Sequence, residues 1–194
     1  MHYRILPWPQ KEDKLFSTQS DGSESMIAGI SVSFGGFADS FKDAADLIVA
    51  HLDVRESFER DRLIHPIIYL YRHYSELMLK AIIERGDVLR QTQCLKDSMH
   101  HRLLDLWVTA KQVIVENELI CTTRQLDAVE NIIREFADAD PRSFSFRYPV
   151  DKDLNKLPPQ WHKVSISNLQ NTVYKLCNFL KDVLYALYQT ERGG

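Results

Sequence analysis

The chain is poor in cysteine, and the cysteines it has form no recognisable pair. Cys94, Cys121 and Cys177 are widely separated, odd in number and without a CxxC motif. A structural zinc site or a disulfide framework needs clustered or paired cysteines, so both are excluded. This usage predicts a protein of the reducing cytoplasm, and we expect no metal and no other cofactor.

Strong net charge and long apolar runs are also missing. The net charge is −3 with histidine neutral, so a site for nucleic acid would have to be local. No apolar run approaches the roughly eighteen residues of a membrane span, and the N-terminus does not resemble a signal peptide. With 194 residues, 44% of them hydrophobic and 26% charged, the composition suits one globular domain. We predict a cytoplasmic protein that does not enter the membrane.

The chain divides near residue 36. Residues 1–36 show no sustained helical period and predict an N-terminal extended arm. Such an arm either docks through Ile5, Trp8 and Phe16 or is a disordered tail. From Phe37 onward apolar residues recur at helical spacing, which predicts a helical domain over 37–191.

Helix boundaries follow from capping residues and from proline and glycine. The first predicted helix is FADSFKDAADLIVAHL. The second begins around Pro66, unless the preceding RESFERDRLIH adds turns before a kink at the proline, and it stops at Gly86. Proline suits a first turn and glycine a C-terminus. The third is HHRLLDLWVTAKQVIVEN, and the fourth is TRQLDAVENIIREFADAD with a cap at Thr122 or Thr123. A long last helix is capped by Ser167.

Between the fourth and last helices lies an irregular insertion, from Pro141 to Val164. Alternation of Phe144, Phe146 and Tyr148 predicts a short extended segment or hairpin there. The whole pattern predicts an all-α bundle of four to five helices.

The second helix carries an unusual polar stripe within the apolar sequence YRHYSELMLKAIIERG. Arg72, Glu76 and Lys80 are successive i, i+4 neighbours, and His73 lies beside them. One interpretation is a solvated ladder of ion pairs. The other is that the stripe lines a cleft or an interface, because the rest of the helix is apolar enough to be central.

A second polar cluster opens the third helix. His101 and Asp105 share a face at i, i+4 spacing, so the carboxylate could orient the imidazole. Alternatively His101 packs at the helix start, while Asp105 complements the positive end of the helix dipole. The pair does not predict a metal site, since no third and fourth ligands follow at suitable spacing.

The third cluster lies in the irregular insertion, in the sequence PRSFSFRYPVD. Arg142 and Arg147 stand among aromatic residues, an arrangement that suits phosphate contacts and base stacking. In the alternative interpretation the aromatic rings plug the bundle and the arginine pairs with an acidic residue such as Glu76.

These pieces, in this order, resemble the HEPN-domain superfamily over about residues 53–187. Members of that family often carry a Glu-x-x-Leu-Lys pattern on an early helix, a His-x-Leu pattern at the next helix start, and an Arg-Tyr-Pro triplet before the last helix. The matching residues are Glu76, Leu79 and Lys80, then His101, Leu103 and Leu104, then Arg147, Tyr148 and Pro149.

The resemblance implies a small helical bundle of the kind found in bacterial toxin–antitoxin, abortive-infection and RNA-processing systems. Nuclease members cleave RNA without metal, through an arginine, a polar residue and a histidine four to six residues beyond, usually on a later helix. Here the matching sequence is RDRLIH, with Arg60 and His65, and it stands ahead of the second helix. This is a displaced form of the motif.

Three functions follow as expectations from the resemblance. The first is an RNA- or nucleotide-binding module of a stress or anti-phage defence system, which binds through a polar groove, forms a homodimer and meets an antitoxin or another defence-complex protein. The second is an active metal-independent endoribonuclease, and the third is a structural subunit of a defence complex. The catalytic candidates are His73, His101, Glu76 and Arg147, and the phosphate-binding candidates are Arg72, Lys80, Arg142 and Tyr148.

Overall fold

The computed structural model describes residues 8–13, 15, 33–53, 57–119, 121–141, 143–150, 153–154 and 163–193. The chain splits into two compact units, Met1–Ile30 and Ser31–Gly194. In the first unit Gln10 and Asp13 close a short turn, with Asp13 N donating to Gln10 O over 3.1 Å. Ile5 and Phe16 lie outside the described residues, so docking of the arm stays a prediction.

The second unit is helical, which confirms the predicted all-α class. Its helices are α1 (Phe34–Ala50), α2 (Ser57–Arg90), α3 (Cys94–Asp97), α4 (Leu103–Glu116), α5 (Thr123–Ala139) and α6 (Ile166–Gly193). They exceed the predicted four to five because α3, a single turn, falls in a stretch that we expected to be a plain connection. No strand is found in the described part of the chain.

Helix α2 is central and packs against α1, α4 and α6. It runs unbroken through both Pro66 and Gly86, so a start at Pro66 and a stop at Gly86 are wrong, and the alternative of added turns before the proline is confirmed. Pro66 removes one backbone hydrogen bond. Burial of most of the residues from Ile67 to Ile83 outweighs that loss, because each large apolar side chain contributes roughly 1.5–3 kcal/mol.

Gly86 is buried for packing rather than for helix termination. A Cβ atom there would lie 2.6 and 2.7 Å from the two methyl carbons of Val113 on α4. Real Cβ atoms do not approach other carbons so closely, so the absence of a side chain lets α2 and α4 come together.

The caps of α5 and α6 show how local sequence sets helix starts. Thr122 and Gln125 form a capping box: the threonine side chain accepts from Gln125 N, and the glutamine side chain accepts from Thr122 N. The predicted cap is therefore confirmed at Thr122. At α6 the prediction of Ser167 is wrong, because Ser165 Oγ accepts from Asn168 N over 3.3 Å and the helix already begins at Ile166.

The core lies around α2 and takes side chains from α1, α4, α5 and α6. Helix α4 contributes Leu103, Leu106, Trp107, Ala110, Val113 and Ile114 to the core, and Leu104 is partly buried against it. The predicted extended segment in the insertion is wrong. Residues 144–148 form a turn instead, in which Arg147 N and Tyr148 N both donate to Phe144 O, over 3.1 and 3.2 Å.

Candidate functional site

The polar stripe of α2 is buried. Arg72, Glu76 and Lys80 are 0%, 1% and 3% exposed, so the interpretation as a solvated ion ladder is wrong. Their i, i+4 spacing places them on one face, and that face meets two other segments of the chain. Buried charges need partners, because an unpaired charge away from water costs several kcal/mol. That cost is on the order of the whole free energy of unfolding of a domain.

Glu76 is the centre of the buried cluster. Its Oε2 accepts from Arg72 Nη1 over 3.2 Å, and its Oε1 accepts from Lys80 Nζ over 2.9 Å. The same Oε1 lies 2.7 Å from His101 Nδ1. A carboxylate can only accept, so His101 carries its proton on Nδ1 and presents Nε2 as the second ring nitrogen.

The cluster favours an ionised carboxylate. Burial on its own would raise the pKa of Glu76, but the hydrogen bonds from Lys80 and His101 outweigh burial and hold the pKa below its usual value. For Arg72, burial lowers the pKa, and the charges of Asp140 and Glu76 offset this only in part. The guanidinium nevertheless stays charged at neutral pH, because arginine starts from so high a pKa.

Arg72 joins the three segments of the site. Its Nη2 donates to the backbone oxygen of His101 over 2.9 Å, and its Nε donates to the backbone oxygen of Asp140 over 3.3 Å. The Asp140 carboxylate lies 3.5 Å from the same Nε. Sequence reasoning missed Asp140 as a site residue and placed it only as the last residue of the fourth predicted helix. An aspartate at a helix end before a loop is a common turn-forming residue, which is the available clue.

The arginine of the FRYP sequence lies on the surface between two tyrosines. The guanidinium carbon of Arg147 is 5.8 Å from the ring centroid of Tyr69 and 5.7 Å from that of Tyr148. Arg147 is exposed and Tyr148 is 49% exposed. We call Tyr69, Arg147 and Tyr148 the Tyr–Arg–Tyr surface. Tyr69 is a second residue that sequence reasoning missed, since only the folded turn brings it to Arg147.

Arg147 does not pair with Glu76, so that part of the alternative interpretation is wrong, whereas the ring of Phe146 does pack against the core. Arg147 Nε donates instead to the backbone oxygen of Ser143 over 2.6 Å, within its own turn. Its charge is close enough to contribute to the lowered pKa of Arg72. The surface arginine is thus a neighbour of the buried cluster and not a member of it.

The other histidine candidates take different places. His73 is half-buried, stacked on Tyr69 at 5.7 Å and edge-on to Phe41 at 4.4 Å between ring centroids. Burial lowers the pKa of His73, so its imidazole is neutral at pH 7. His65 is exposed, with its ring 6.4 Å from that of Phe146. Arg60 is exposed near the start of α2, and Arg142 lies outside the described residues.

The predicted His101–Asp105 pair is wrong. His101 precedes α4, which begins at Leu103, and its ring contacts Glu76. Asp105 pairs with Arg102, whose Nη2 lies 2.7 Å from Asp105 Oδ2. Residues before a helix do not follow its periodicity, so i, i+4 spacing across the helix start predicts no contact.

The fold therefore brings Arg72, Glu76, Lys80 and His101 into direct contact, with Arg147 next to them. The cleft that the polar stripe predicts is not open at this place, because Arg72, Glu76 and Lys80 are covered. The exposed groups are Arg147 and His101, and the side chain of His101 is 58% exposed. A cavity of about 380 Å³ lies elsewhere, between α2, α5 and α6, and is lined by none of the predicted site residues.

No group of three or more histidine, cysteine, aspartate or glutamate side chains within the described ranges is arranged to hold a metal ion. None of the described helices is long and apolar enough to cross a membrane. No protein-family profile, curated protein or solved structure matches this chain. Chemically, the site offers an exposed arginine between aromatic rings and an imidazole held by a carboxylate.

Proposed function

We propose that this chain is a HEPN-like helical module that binds RNA, as a component of a bacterial stress or anti-phage defence system. The observation that carries the proposal is the Tyr–Arg–Tyr surface, where exposed Arg147 stands between two tyrosine rings, close enough to buried Arg72 for their charges to interact. A homodimer and an antitoxin or another defence-complex protein as partner belong to the same proposal through the family resemblance.

The chemistry of this surface suits RNA. A guanidinium presents several N–H donors in a plane and binds a phosphate through two of them. Tyr148 is stacked on Phe144 with the ring centroids 4.4 Å apart, and the half of its surface that stays exposed would be the part that contacts a base. Stacking and phosphate contacts together are the usual means of binding single strands, and here both come from adjacent residues of one turn.

Local charge supports binding although the whole chain is acidic. The net charge of the chain is −3. Within the site, however, the cations outnumber the carboxylates, as the contacts and pKa effects of Arg72, Lys80, Arg147, Glu76 and Asp140 show. Arg72 and Lys80 offset Glu76 and Asp140, so the charge left uncompensated for a phosphate is that of Arg147.

Replacing Arg147 with alanine is expected to weaken RNA binding by about tenfold, because it removes a charge-assisted contact to phosphate. The slope of log affinity against log salt should fall by about one at the same time, since one fewer counterion is released. Fluorescence anisotropy with a short labelled single-stranded RNA, over a series of KCl concentrations, measures both. Tyr148→Ala should weaken binding by a similar factor with the salt slope unchanged.

Arg134→Ala is the matched control, because Arg134 is an exposed arginine of α5 whose partner is Glu130. It should leave both affinity and salt slope close to those of the parent protein. The proposal fails if the parent does not bind RNA, or if Arg147→Ala binds as tightly as Arg134→Ala.

A second candidate function is metal-independent cleavage of RNA, favoured by the 2.7 Å contact between His101 and Glu76. With Nδ1 held by the carboxylate, Nε2 of His101 is the ring nitrogen that would take the proton of a ribose 2′-hydroxyl. The 2′-oxygen would then attack the adjacent phosphorus, the bond from phosphorus to the 5′-oxygen would break, and that oxygen would take a proton from water, which leaves a 2′,3′-cyclic phosphate and a 5′-hydroxyl. Arg147 would stabilise the extra negative charge on the phosphate.

Cleavage by the parent protein in EDTA is expected to fall at least a hundredfold in His101→Ala, because general acid–base catalysis contributes about that much. His65→Ala serves as the control and also tests the displaced Arg60–His65 motif; it should cleave like the parent. Labelled RNA resolved on a denaturing gel measures both. Intact RNA after incubation with the parent would remove this second function and leave the binding module standing.

A further inference from the structure

Asp140 is a buried residue that governs the turn on which Arg147 and Tyr148 stand. It is 0% exposed and follows the last residue of α5. Its Oδ1 accepts from Phe144 N over 2.6 Å and from Ser145 N over 2.9 Å. One carboxylate oxygen therefore fixes two successive backbone groups at the start of the turn.

The same residue connects the turn to the buried cluster. Arg72 Nε donates to the backbone oxygen of Asp140, and Arg72 Nη2 donates to the backbone oxygen of His101. Two exposed groups of the proposed site, His101 and Arg147, thus stand on segments that one guanidinium holds together. Asp140 is the member of this arrangement that reaches the Arg147 turn.

The turn needs such support because its backbone is strained. Ser143 has φ 58, in the left-handed region that residues with a Cβ atom seldom adopt. Its backbone oxygen accepts from Arg147 Nε, so the strained residue also orients the arginine side chain. A strained conformation persists only where surrounding contacts hold it, and the bonds to Asp140 are such contacts.

We propose that Asp140 is a positioning residue for RNA binding: it preorganises the turn so that Arg147 and Tyr148 face the ligand together. Asp140 itself is covered and touches no ligand. The inference rests on the proposed function, and it adds the residue through which the buried cluster sets the geometry of the Tyr–Arg–Tyr surface. Preorganisation raises affinity because less conformational freedom is lost on binding.

The test compares Asp140→Ala with Asp140→Asn in the RNA anisotropy measurement. Alanine removes the acceptor, and we expect affinity to fall by about tenfold. Asparagine keeps an oxygen that can accept from Phe144 N and Ser145 N, and should recover most of the affinity although the charge toward Arg72 is lost. Ser145→Pro removes one of the two N–H donors and leaves Asp140 in place, so it should also weaken binding.

Ile133→Ala separates positioning from general destabilisation. Ile133 is a fully buried core residue of α5, and its truncation lowers thermal stability without altering the turn contacts. We expect it to keep parental affinity at a temperature well below its unfolding. Loss of affinity in Ile133→Ala equal to that in Asp140→Ala would overturn the inference, as would an Asp140→Asn variant no better than alanine.

The outcome for Arg147→Ala distinguishes failure of RNA binding by the Tyr–Arg–Tyr surface from failure of the positioning role of Asp140. If Arg147→Ala leaves affinity unchanged, the proposed function fails and this inference fails with it. If Arg147→Ala weakens binding while Asp140→Ala and Ser145→Pro bind like the parent, only the positioning role is lost. If Asp140→Ala does not fold, parental affinity in both Asp140→Asn and Ser145→Pro overturns the inference, whereas weak binding by Ser145→Pro supports it.

Discussion

Glu76→Leu is expected to lower the free energy of unfolding by about 3–5 kcal/mol, the usual cost of removing one partner from a buried ion pair. The substitution leaves Arg72 and Lys80, 0% and 3% exposed, without their shared carboxylate. Equilibrium denaturation in urea measures the loss directly, and a thermal midpoint lower by on the order of 10 °C should accompany it.

The matched control is Arg134→Ala, which breaks an i, i+4 pair with Glu130 on the surface of α5. Exposed pairs contribute only about 0–1 kcal/mol, so its stability should stay near that of the parent. Replacing Lys80 as well, in Glu76→Leu with Lys80→Leu, should recover part of the loss, because Lys80 is then no longer left unpaired and Arg72 keeps its contact with Asp140. A Glu76→Leu variant as stable as Arg134→Ala would contradict the buried cluster.

The pH dependence of the same comparison has a definite sign. The folded-state pKa of Glu76 lies below its usual value of 4.5, so its charged form stabilises the fold above that pH. The stabilisation is lost as pH falls through the folded-state pKa. The difference in stability between the parent and Glu76→Gln should therefore be constant above about pH 5 and become smaller in more acidic solution.

The helical faces could be predicted from the sequence because a helix repeat depends on neighbouring residues only. Spacing alone placed Arg72, Glu76 and Lys80 together on α2, and the structure agrees. Whether that face met water or protein depended on contacts that local sequence does not encode. Arg72 reaches backbone oxygens of residues 29 and 68 positions away, and those two contacts cover the stripe.

The residues that were missed or misplaced from the sequence were so for the same reason, which is contact with distant segments of the chain. Tyr69 and Asp140 belong to the site through distant segments, and His101 turns to Glu76 on another helix rather than to its neighbour Asp105. Pro66 and Gly86 gave boundary predictions that tertiary packing overrode. The helix propensities of proline and glycine are small beside the free energy of burying a long central helix. The effect of Pro66 and Gly86 within α2 therefore depends on the helices packed around it.

Gly86→Leu is expected to destabilise the protein by roughly 2–3 kcal/mol, the cost of overpacking a close helix contact. The direction is informative, because leucine is a better helix former than glycine by roughly 0.8 kcal/mol and would otherwise stabilise α2. Here even the first added carbon would lie within 2.7 Å of both methyl carbons of Val113. Urea denaturation of the variant measures the loss.

Gly35→Ala and Gly86→Ala provide a matched pair of helical glycines. At Gly35 the new Cβ would lie 3.5 Å from Leu184, an ordinary contact, so alanine should be neutral or stabilising there. Gly86→Ala should destabilise the protein. The double variant Gly86→Ala with Val113→Ala should lose less stability than the sum of the losses in the two single variants, since the shorter side chain at position 113 makes room. Because α2 carries Glu76 and α4 follows directly after His101, this close helix contact also helps to hold the two residues of the site in register. If Gly86→Ala stabilised the protein, α2 and α4 would have to lie farther apart at Gly86 and Val113 than they do in the structure.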